Sequence, residues 1–294
     1  MTIGARGNWD FVLWFRGMKV ASMLLVGTAV AVSTVLFQTV TNNRILTPSI
    51  MGFDALYALI QTTLVFVFGA MKVSAADPRL LFALEVVAMV VFSIALYRWL
   101  FSGAIRSLHL LVLVGIVFGV LFRSVGSLMQ RLIDPNEFVV LQDRLFASFN
   151  TVHADLLAAS ALAIVAVLVI VWRMLPILDV LALGRETAIN LGVDHGRMVL
   201  ITLVLVAVLV SVSTALVGPV TFFGLLVANL AYQLTGSHWH RDTLPAAALL
   251  AVICLIGGQF VLERIFAFDT ALSIVIEFVG GLVFILLLIR GAAR

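Results

Sequence analysis

The residues best suited to chemistry in this sequence are its five histidines, and their spacing decides whether they could bind a metal. His238 and His240 lie two residues apart, whereas a zinc motif on a helix places its two histidines four residues apart. The other three, His109, His153 and His195, are far apart in the sequence. We therefore expect no metal site, no bound cofactor and no catalytic residue on this chain.

Two glutamates, Glu85 and Glu277, interrupt long apolar stretches. Because a charge at the centre of a bilayer is costly, such residues mark functional sites by default. One interpretation is a proton relay. The other, which the analysis favours, is a carboxylate that is paired or protonated between helices or beside a transport cavity. The single cysteine, Cys254, lies in an apolar run and is expected to pack as a core thiol.

The elements that hold these residues are those of a membrane protein. Of the 294 residues, 63% are hydrophobic and 11% charged, against about 45–50% and about 25% in soluble domains. We predict an all-α, polytopic transmembrane bundle forming a single domain over residues 1–294, because a helix satisfies its own backbone in lipid. No room is left for a nucleotide-binding domain, so any ATP must be hydrolysed by a partner. The nine predicted spans are 20–40, 54–70, 80–100, 107–128, 154–174, 198–217, 222–234, 244–262 and 273–290.

Two glycine-containing motifs predict local features of this bundle. Gly218-Pro219 precedes the short seventh span within membrane depth, which indicates a broken helix. Gly115 and Gly119 lie four residues apart in the fourth span, the spacing of a close-packing motif.

The longest connection, residues 175–197, differs from the others because charged residues alternate with apolar ones. Between Arg185 and Leu191 this pattern predicts a short helix with an apolar stripe on one side and charges on the other, and Gly192 is placed to stop it. Such a helix suits docking against another protein. The alternative is an amphipathic helix that lies on lipid headgroups.

The expected orientation follows from lysine and arginine counts on alternating sides of the spans. Each side carries nine of these residues, and leaving out the first three of the sequence changes the count to nine against six. This preference places the 175–197 connection and the C-terminus in the cytoplasm.

Two stretches, in this order, resemble motifs of one transporter family. Residues 181–193 read Leu-Ala-Leu-Gly-Arg-Glu-Thr-Ala-Ile-Asn-Leu-Gly-Val, and residues 217–225 read Val-Gly-Pro-Val-Thr-Phe-Phe-Gly-Leu. The first resembles the cytoplasmic coupling segment of the FecCD-type permeases, which belong to ABC importers for iron–siderophore complexes, haem and cobalamin. The second resembles that family's Gly-Pro-Ile-x-Phe-x-Gly-Leu stretch. Shorter similarities at 36–39, 43–44, 47–52 and 134–136 extend the resemblance over nearly the whole chain.

This resemblance implies a permease subunit of an ATP-driven importer in the bacterial inner membrane, and not an enzyme. The implied partners are cytoplasmic ATPase subunits that carry ATP and magnesium, a siderophore-binding protein, a second permease subunit in a homodimer or heterodimer, and membrane lipid, but no nucleic acid. The residues that it assigns to ATPase coupling are Leu183, Gly184, Arg185, Glu186, Ala188, Leu191 and Gly192.

Contacts with the binding protein are expected at Arg16, Lys19 and Arg264. Arg16 and Lys19 lie three residues apart and share a helical face, and they fall where the family has a paired basic docking motif. Arg264 matches another basic position before the last span. The alternative for all three is anchoring at the membrane interface, where lysine and arginine are common at helix ends.

The transported complex already chelates its iron, so its passage needs no protein ligands. Weakly binding apolar and small polar side chains suffice. We predict that polar residues of several spans line the translocation pathway: Ser33, Thr34, Gln38, Thr39, Thr62, Thr63, Asn229 and Glu277.

Two departures from the family pattern bear on topology and substrate. The family commonly has ten spans, and residues 15–19 resemble the basic segment that follows the first, so either this subgroup has nine helices or the sequence starts at a downstream methionine. The family's Pro-His pair is replaced by Ala228-Asn229, which resembles the branch for catecholate siderophores. The prediction is therefore import of an iron(III)–siderophore complex of catecholate type. The rival is an ion- or proton-coupled secondary transporter that uses Glu85 and Glu277.

Overall fold

The computed structural model describes residues 9–101, 108–150 and 152–264, together with positions 274, 278, 280–282 and 285. Within these residues the chain folds into eleven α-helices and one 3₁₀ turn, without a strand. In chain order they are α1 (Trp9–Thr41), the 3₁₀ turn (Pro48–Met51), α2 (Phe53–Phe68), α3 (Ala70–Ala75), α4 (Pro78–Phe101), α5 (Leu108–Gln130), α6 (Pro135–Leu145), α7 (Ala154–Leu181), α8 (Arg185–Asn190), α9 (His195–Val217), α10 (Phe223–Thr235) and α11 (His240–Arg264).

Eight of the nine predicted spans coincide with helices. Six helices, α1, α4, α5, α7, α9 and α11, are long and apolar enough to cross a membrane, and α2 and α10 are shorter apolar helices. The ninth predicted span, 273–290, lies mostly outside the described residues, although its six described positions are helical. The fold class is thus confirmed as an all-helical transmembrane bundle.

Helices α1 and α9 form the centre of this bundle. In the most apolar stretches of α1 and α9, 67% and 72% of the residues are buried, against 22–28% in the other four long helices. Both central helices are apolar on nearly every face, as expected for helices surrounded by protein. The outer helices expose aliphatic side chains such as Leu113 of α5 and Leu162 of α7, which suits contact with lipid.

Helix α11 runs antiparallel to α1, and two polar contacts fix the pair. Lys19 Nζ lies 2.7 Å from Glu263 Oε1, and Thr39 Oγ1 lies 2.7 Å from His240 Nε2. The 20 residues that separate Lys19 from Thr39 rise about 30 Å along a helix. That distance equals the hydrocarbon thickness of about 30 Å, so the two contacts lie near opposite surfaces of the membrane.

The predicted close-packing motif of α5 is confirmed, and its partner is the 3₁₀ turn. A Cβ atom added to Gly115 would lie 2.9 Å from Met51 Cα, and one added to Gly119 would lie 3.2 Å from Gly52 Cα. Gly52 has a φ of 88°, a left-handed conformation that favours glycine. The backbone of the turn therefore lies directly against the backbone of α5.

The predicted break before α10 is also confirmed. Gly218 ends α9 with a φ of 97° and packs against Ala147. Helix α10 has 13 residues, which extend about 20 Å and so fall short of a full crossing. Phe222 precedes it with a φ of 51°, which is uncommon for a bulky residue. The non-helical segment 218–222 completes this crossing.

The 175–197 connection is shorter than predicted, because α7 continues to Leu181 and α9 begins at His195. Pro176 lies inside α7 without ending it, since neighbouring groups in a bundle can satisfy the carbonyl that a proline leaves free. Asp179 is therefore helical.

Helices α3 and α6 escape the sequence analysis because both are shorter than a membrane crossing. For α6, the family-like residues Asp134-Pro135-Asn136 are a helix start. Asp134 accepts a hydrogen bond from the Asn136 amide at 2.8 Å, and Pro135 is the first helical residue.

Candidate functional site

Residues 181–193, here called the coupling segment, form a compact helical link between α7 and α9. Gly184 precedes α8 with φ 93° and ψ 168°, and Gly192 follows it with φ 83°. The Gly192 amide donates to the Ile189 carbonyl at 2.9 Å, which confirms the predicted helix stop. Asp194 then caps α9 by accepting a hydrogen bond from the Arg197 amide at 3.2 Å.

The coupling segment exposes apolar side chains, as expected for a helix that docks against another protein. Ala188 is fully buried against the bundle, whereas Leu183, Ile189 and Leu191 are 60%, 51% and 59% exposed. Arg185, Glu186 and Thr187 are exposed beside them. The predicted apolar stripe therefore does not pack onto this chain. It forms an apolar and charged surface at one end of the bundle. We call this end of the bundle the coupling end.

Three side chains from different helices meet behind this surface; Thr39 and His240 are buried, and Asp179 is partly buried. The carboxylate Oδ1 of Asp179, on α7, lies 2.6 Å from His240 Nδ1 and accepts a hydrogen bond from the His240 amide at 2.9 Å. The other ring nitrogen of His240, Nε2, lies 2.7 Å from Thr39 Oγ1 on α1. We refer to Asp179, His240 and Thr39 as the junction. The sequence analysis missed it, apart from naming Thr39 for a different role.

A cavity of about 440 Å³ opens beside the junction at the coupling end. Gln38 and Thr39, two predicted pathway residues, contribute to its wall together with Arg44, Tyr232 and His238. The guanidinium of Arg44 lies 4.5 Å above the centre of the Tyr232 ring, a cation–π distance.

Asn229, a third predicted pathway residue, fixes the backbone at this cavity. Its Nδ2 donates to the Arg44 carbonyl at 3.3 Å, and Gln38 Nε2 donates to the same carbonyl at 2.8 Å. Gln38 and Asn229 therefore hold the loop after α1 against α10.

A second cavity, of about 690 Å³, opens at the opposite end of the bundle. Its lining includes Glu85 and Gln61, both buried, together with Arg144 of α6. Gln61 Nε2 donates to Glu85 Oε1 at 2.7 Å. Glu85 is thus paired between helices and beside a cavity, which is the arrangement that the analysis favours over a proton relay.

The remaining predicted pathway residues are dispersed. Thr62 is buried against α5 and accepts a hydrogen bond from Gln130 at 3.2 Å, while Thr63 donates to the Leu59 carbonyl of its own helix. Neither contributes to the walls of the two large cavities. Ser33 and Thr34 lie at a third, much smaller cavity, and Glu277 lies outside the described residues.

The predicted docking residues also differ in their surroundings. Lys19 is buried and forms the ion pair with Glu263, so its ammonium group faces this chain. Arg16 is half-buried one turn earlier on α1. Arg264 ends α11, and its side chain lies outside the described part of the chain. Of the two side chains that share this helical face, Lys19 is therefore engaged within the bundle.

Asp54 and Thr221 connect the two crossings that contain the shorter apolar helices α2 and α10. Thr221 Oγ1 donates to Asp54 Oδ2 at 3.2 Å, which joins the first turn of α2 to the non-helical segment before α10. The sequence analysis did not single out Asp54, although an acidic residue next to Gly52 inside an apolar run is a usable signal. The contact brings the N-termini of two shortened helices together, as at the binding sites of many transporters.

In the part of the chain that the structure describes, six helices of membrane length, two shortened ones and an exposed helical link outside the bundle define a polytopic membrane protein. The sequence matches the FecCD transport family over residues 3–290, and the chain belongs to that family.

The chain is 50% identical over 284 residues to the petrobactin import system permease protein YclO of Bacillus subtilis (strain 168), covering 97% of this chain and 90% of that relative. It is 39% identical over 278 residues to the petrobactin import system permease protein FatC of Bacillus anthracis, covering 95% and 78%. A solved structure of a metal-chelate type ABC transporter in an inward-facing conformation shares the fold, with a TM-score of 0.84, 22% identity and coverage of 99% and 91%.

Proposed function

We propose that this chain is the membrane subunit of an ATP-driven importer that carries an iron(III)–siderophore complex into the cell, and that ferric petrobactin is its cargo. The cargo is supported by the two relatives whose names state petrobactin import. The structural observation that carries the ATP-driven part is the exposed surface of the coupling segment, where Leu183, Ile189 and Leu191 project beside Arg185 and Glu186.

This surface suits a cleft on a cytoplasmic ATPase subunit. Apolar side chains supply contact area, and the flanking charges fix the orientation of the partner. Because Gly184 and Gly192 begin and end α8, the short helix is a compact unit that closure of the ATPase can push as a rigid body. ATP and magnesium would bind to the partner, and hydrolysis would occur there.

A second permease subunit would complete the pathway, since the family builds it between two subunits related by a two-fold axis. In this arrangement Gln38 and Thr39 would line its exit at the coupling end. The catecholate class, predicted from Ala228-Asn229, includes the cargo that we propose.

At the opposite end, Arg16 and Arg264 are our proposed contacts with an acidic binding protein. Charged contacts at the solvent-exposed rim of an interface change the association rate and its salt dependence more than the total affinity. Lys19 would act indirectly, by holding Glu263 and the end of α11 in place.

The first experiment is co-purification of the chain with the products of its neighbouring genes, followed by an ATPase assay. We expect a stoichiometric ATPase whose activity rises when a binding protein loaded with ferric petrobactin is added. In proteoliposomes, ATP should drive uptake of ferric petrobactin but not of cobalamin.

A paired replacement tests the coupling segment itself. Arg185→Ala with Glu186→Ala should separate ATP hydrolysis from uptake, and unchanged uptake would contradict the assignment. Uptake that persists without ATP and collapses with the proton gradient would instead favour a secondary transporter.

A further inference from the structure

The junction lies at the point where the coupling segment joins the bundle. Asp179 is in the last turn of α7, two residues before Leu181 begins the coupling segment. Helical hydrogen bonds continue through this boundary, from the Ala182 amide to the Leu178 carbonyl and from the Gly184 amide to the Leu181 carbonyl, both at 3.0 Å. The last turn of α7 and the coupling segment are therefore one continuous unit.

This unit joins the rest of α7 at a proline. Pro176 has no amide hydrogen to donate to the carbonyl four residues earlier, so the helix lacks a hydrogen bond there. Such positions are where helices bend. The polar contact of Asp179 with His240 thus offers a second mechanical route from the coupling segment into the bundle.

Asp179 also completes the start of α11. His240 is the first residue of that helix, and the amide hydrogens of a first helical turn have no partner within the helix. The carboxylate of Asp179, supplied by another helix, accepts one of them and places negative charge at a helix N-terminus, where it is stabilised. A shift of Asp179 would therefore act on the backbone of α11 as well as on a side chain.

Helices α11 and α1 then extend to the opposite end of the bundle. Thr39 joins them at the junction, and the Lys19–Glu263 ion pair joins them about 30 Å away. Two long helices fixed at both ends move together more easily than they slide past each other.

We propose that the junction transmits movement of the coupling segment through α1 and α11 to the end of the bundle where Lys19 pairs with Glu263. Asp179, His240 and Thr39 are then positioning residues that connect ATP binding to the affinity for the binding protein. This inference rests on the proposed function.

The order of hydroxyl, imidazole and carboxylate also occurs in hydrolases. Thr39 is only 8% exposed, and its hydroxyl oxygen also lies 2.9 Å from the Val35 carbonyl of its own helix. This burial favours a positioning role over nucleophilic chemistry.

The test uses the complete transporter in lipid nanodiscs and measures the Kd of the ferric-petrobactin-loaded binding protein, with and without a non-hydrolysable ATP analogue. If the junction transmits this movement, a nucleotide that moves the coupling segment should change this Kd in the wild type by about fivefold or more, the lower end of usual coupling. We expect Asp179→Ala and His240→Ala each to lose most of that change. The double variant should lose less than the sum of the two single losses, because both replacements break the contact between the Asp179 and His240 side chains.

Asp242→Ala is the matched control. Asp242 lies in the same first turn of α11 but is exposed and accepts a hydrogen bond from Ser237 at 2.8 Å. This variant should keep the wild-type response. Thr39→Val, which preserves shape, removes only the α1 contact and should weaken the response even if Asp179→Ala fails to assemble.

A full nucleotide response in assembled Asp179→Ala or Thr39→Val complexes would overturn the junction proposal. So would additive losses in the double variant, or an equal loss in Asp242→Ala. If the wild-type complex shows no ATPase and no nucleotide dependence, the proposed function itself fails. The two failures are therefore distinguishable.

Discussion

The surroundings of Glu85 predict a packing role for this membrane carboxylate. It is 4% exposed on α4, and its partner Gln61 is 3% exposed on α2. Replacing Glu85 by glutamine preserves an acceptor for the Gln61 amide, whereas alanine leaves that buried donor unpaired at a cost of about 1–3 kcal/mol. We expect Glu85→Gln to match the wild type in ferric petrobactin uptake and thermal stability, and Glu85→Ala to melt at a lower temperature.

The measurements are uptake into proteoliposomes and thermal unfolding in detergent. Loss of uptake in a stable Glu85→Gln protein would contradict the packing role. It would support the proton-coupled alternative, since the replacement removes the ionisable group while keeping the shape of the side chain.

A replacement at Gly115 tests the contact between the backbone of α5 and the backbone of the 3₁₀ turn. Adding a methyl group there would bring Cβ to 2.9 Å from Met51 Cα, and overpacking of this kind costs about 1–3 kcal/mol. Gly126 is the control in the same helix, because a Cβ atom there would meet nothing within 4 Å. Thermal unfolding should show a lower melting temperature for Gly115→Ala and an unchanged or higher one for Gly126→Ala, since alanine favours helix. Equal effects would contradict the close-packing assignment.

At the scale of elements, the coupling segment depends on the backbone freedom of Gly184. Its φ of 93° and ψ of 168° lie in a region that is essentially restricted to glycine. A Cβ atom there would meet nothing within 4 Å, so substitution acts only on the backbone. The strain of about 1–3 kcal/mol should displace α8 in Gly184→Ala while the bundle remains intact.

We expect Gly184→Ala to reduce co-purification of the ATPase and its stimulation by the binding protein, with little change in the melting temperature of the permease. Gly257→Ala, in the interior of α11 where a Cβ atom also has open space, is the matched control and should behave as wild type. An equally active Gly184→Ala complex would show that the position of α8 does not matter for coupling.

Long apolar runs and glycine signals were sufficient to predict most elements. Eight spans, the break at Gly218 and the helix stop at Gly192 follow from residues that are near one another in the sequence. The junction could not be predicted in this way, because 61 residues separate Asp179 from His240 and 201 separate Thr39 from His240. For the same reason the sequence did not indicate that Lys19 is buried, because its ion-pair partner Glu263 is 244 residues away. Periodicity indicates which faces are apolar, but not which polar groups meet across helices.

At the scale of the whole molecule, the two ends carry different surfaces, and the antiparallel pairing of α1 with α11 fixes which residues share an end. Lys72 of α3 lies at the end opposite the coupling segment, and Arg241 of α11 lies at the coupling end; both are exposed. The count of nine basic residues against six predicts that the coupling end faces the cytoplasm.

Single cysteines test this orientation, after Cys254, the one cysteine of the sequence, has been replaced by alanine. A membrane-impermeant maleimide should label Lys72→Cys in intact spheroplasts and Arg241→Cys only in inside-out vesicles. The reverse pattern would place the coupling segment outside the cell, where no ATP is available to drive it. Because an ATPase can reach Leu183, Ile189 and Leu191 only from the cytoplasm, this labelling tests the geometric condition on which coupling depends.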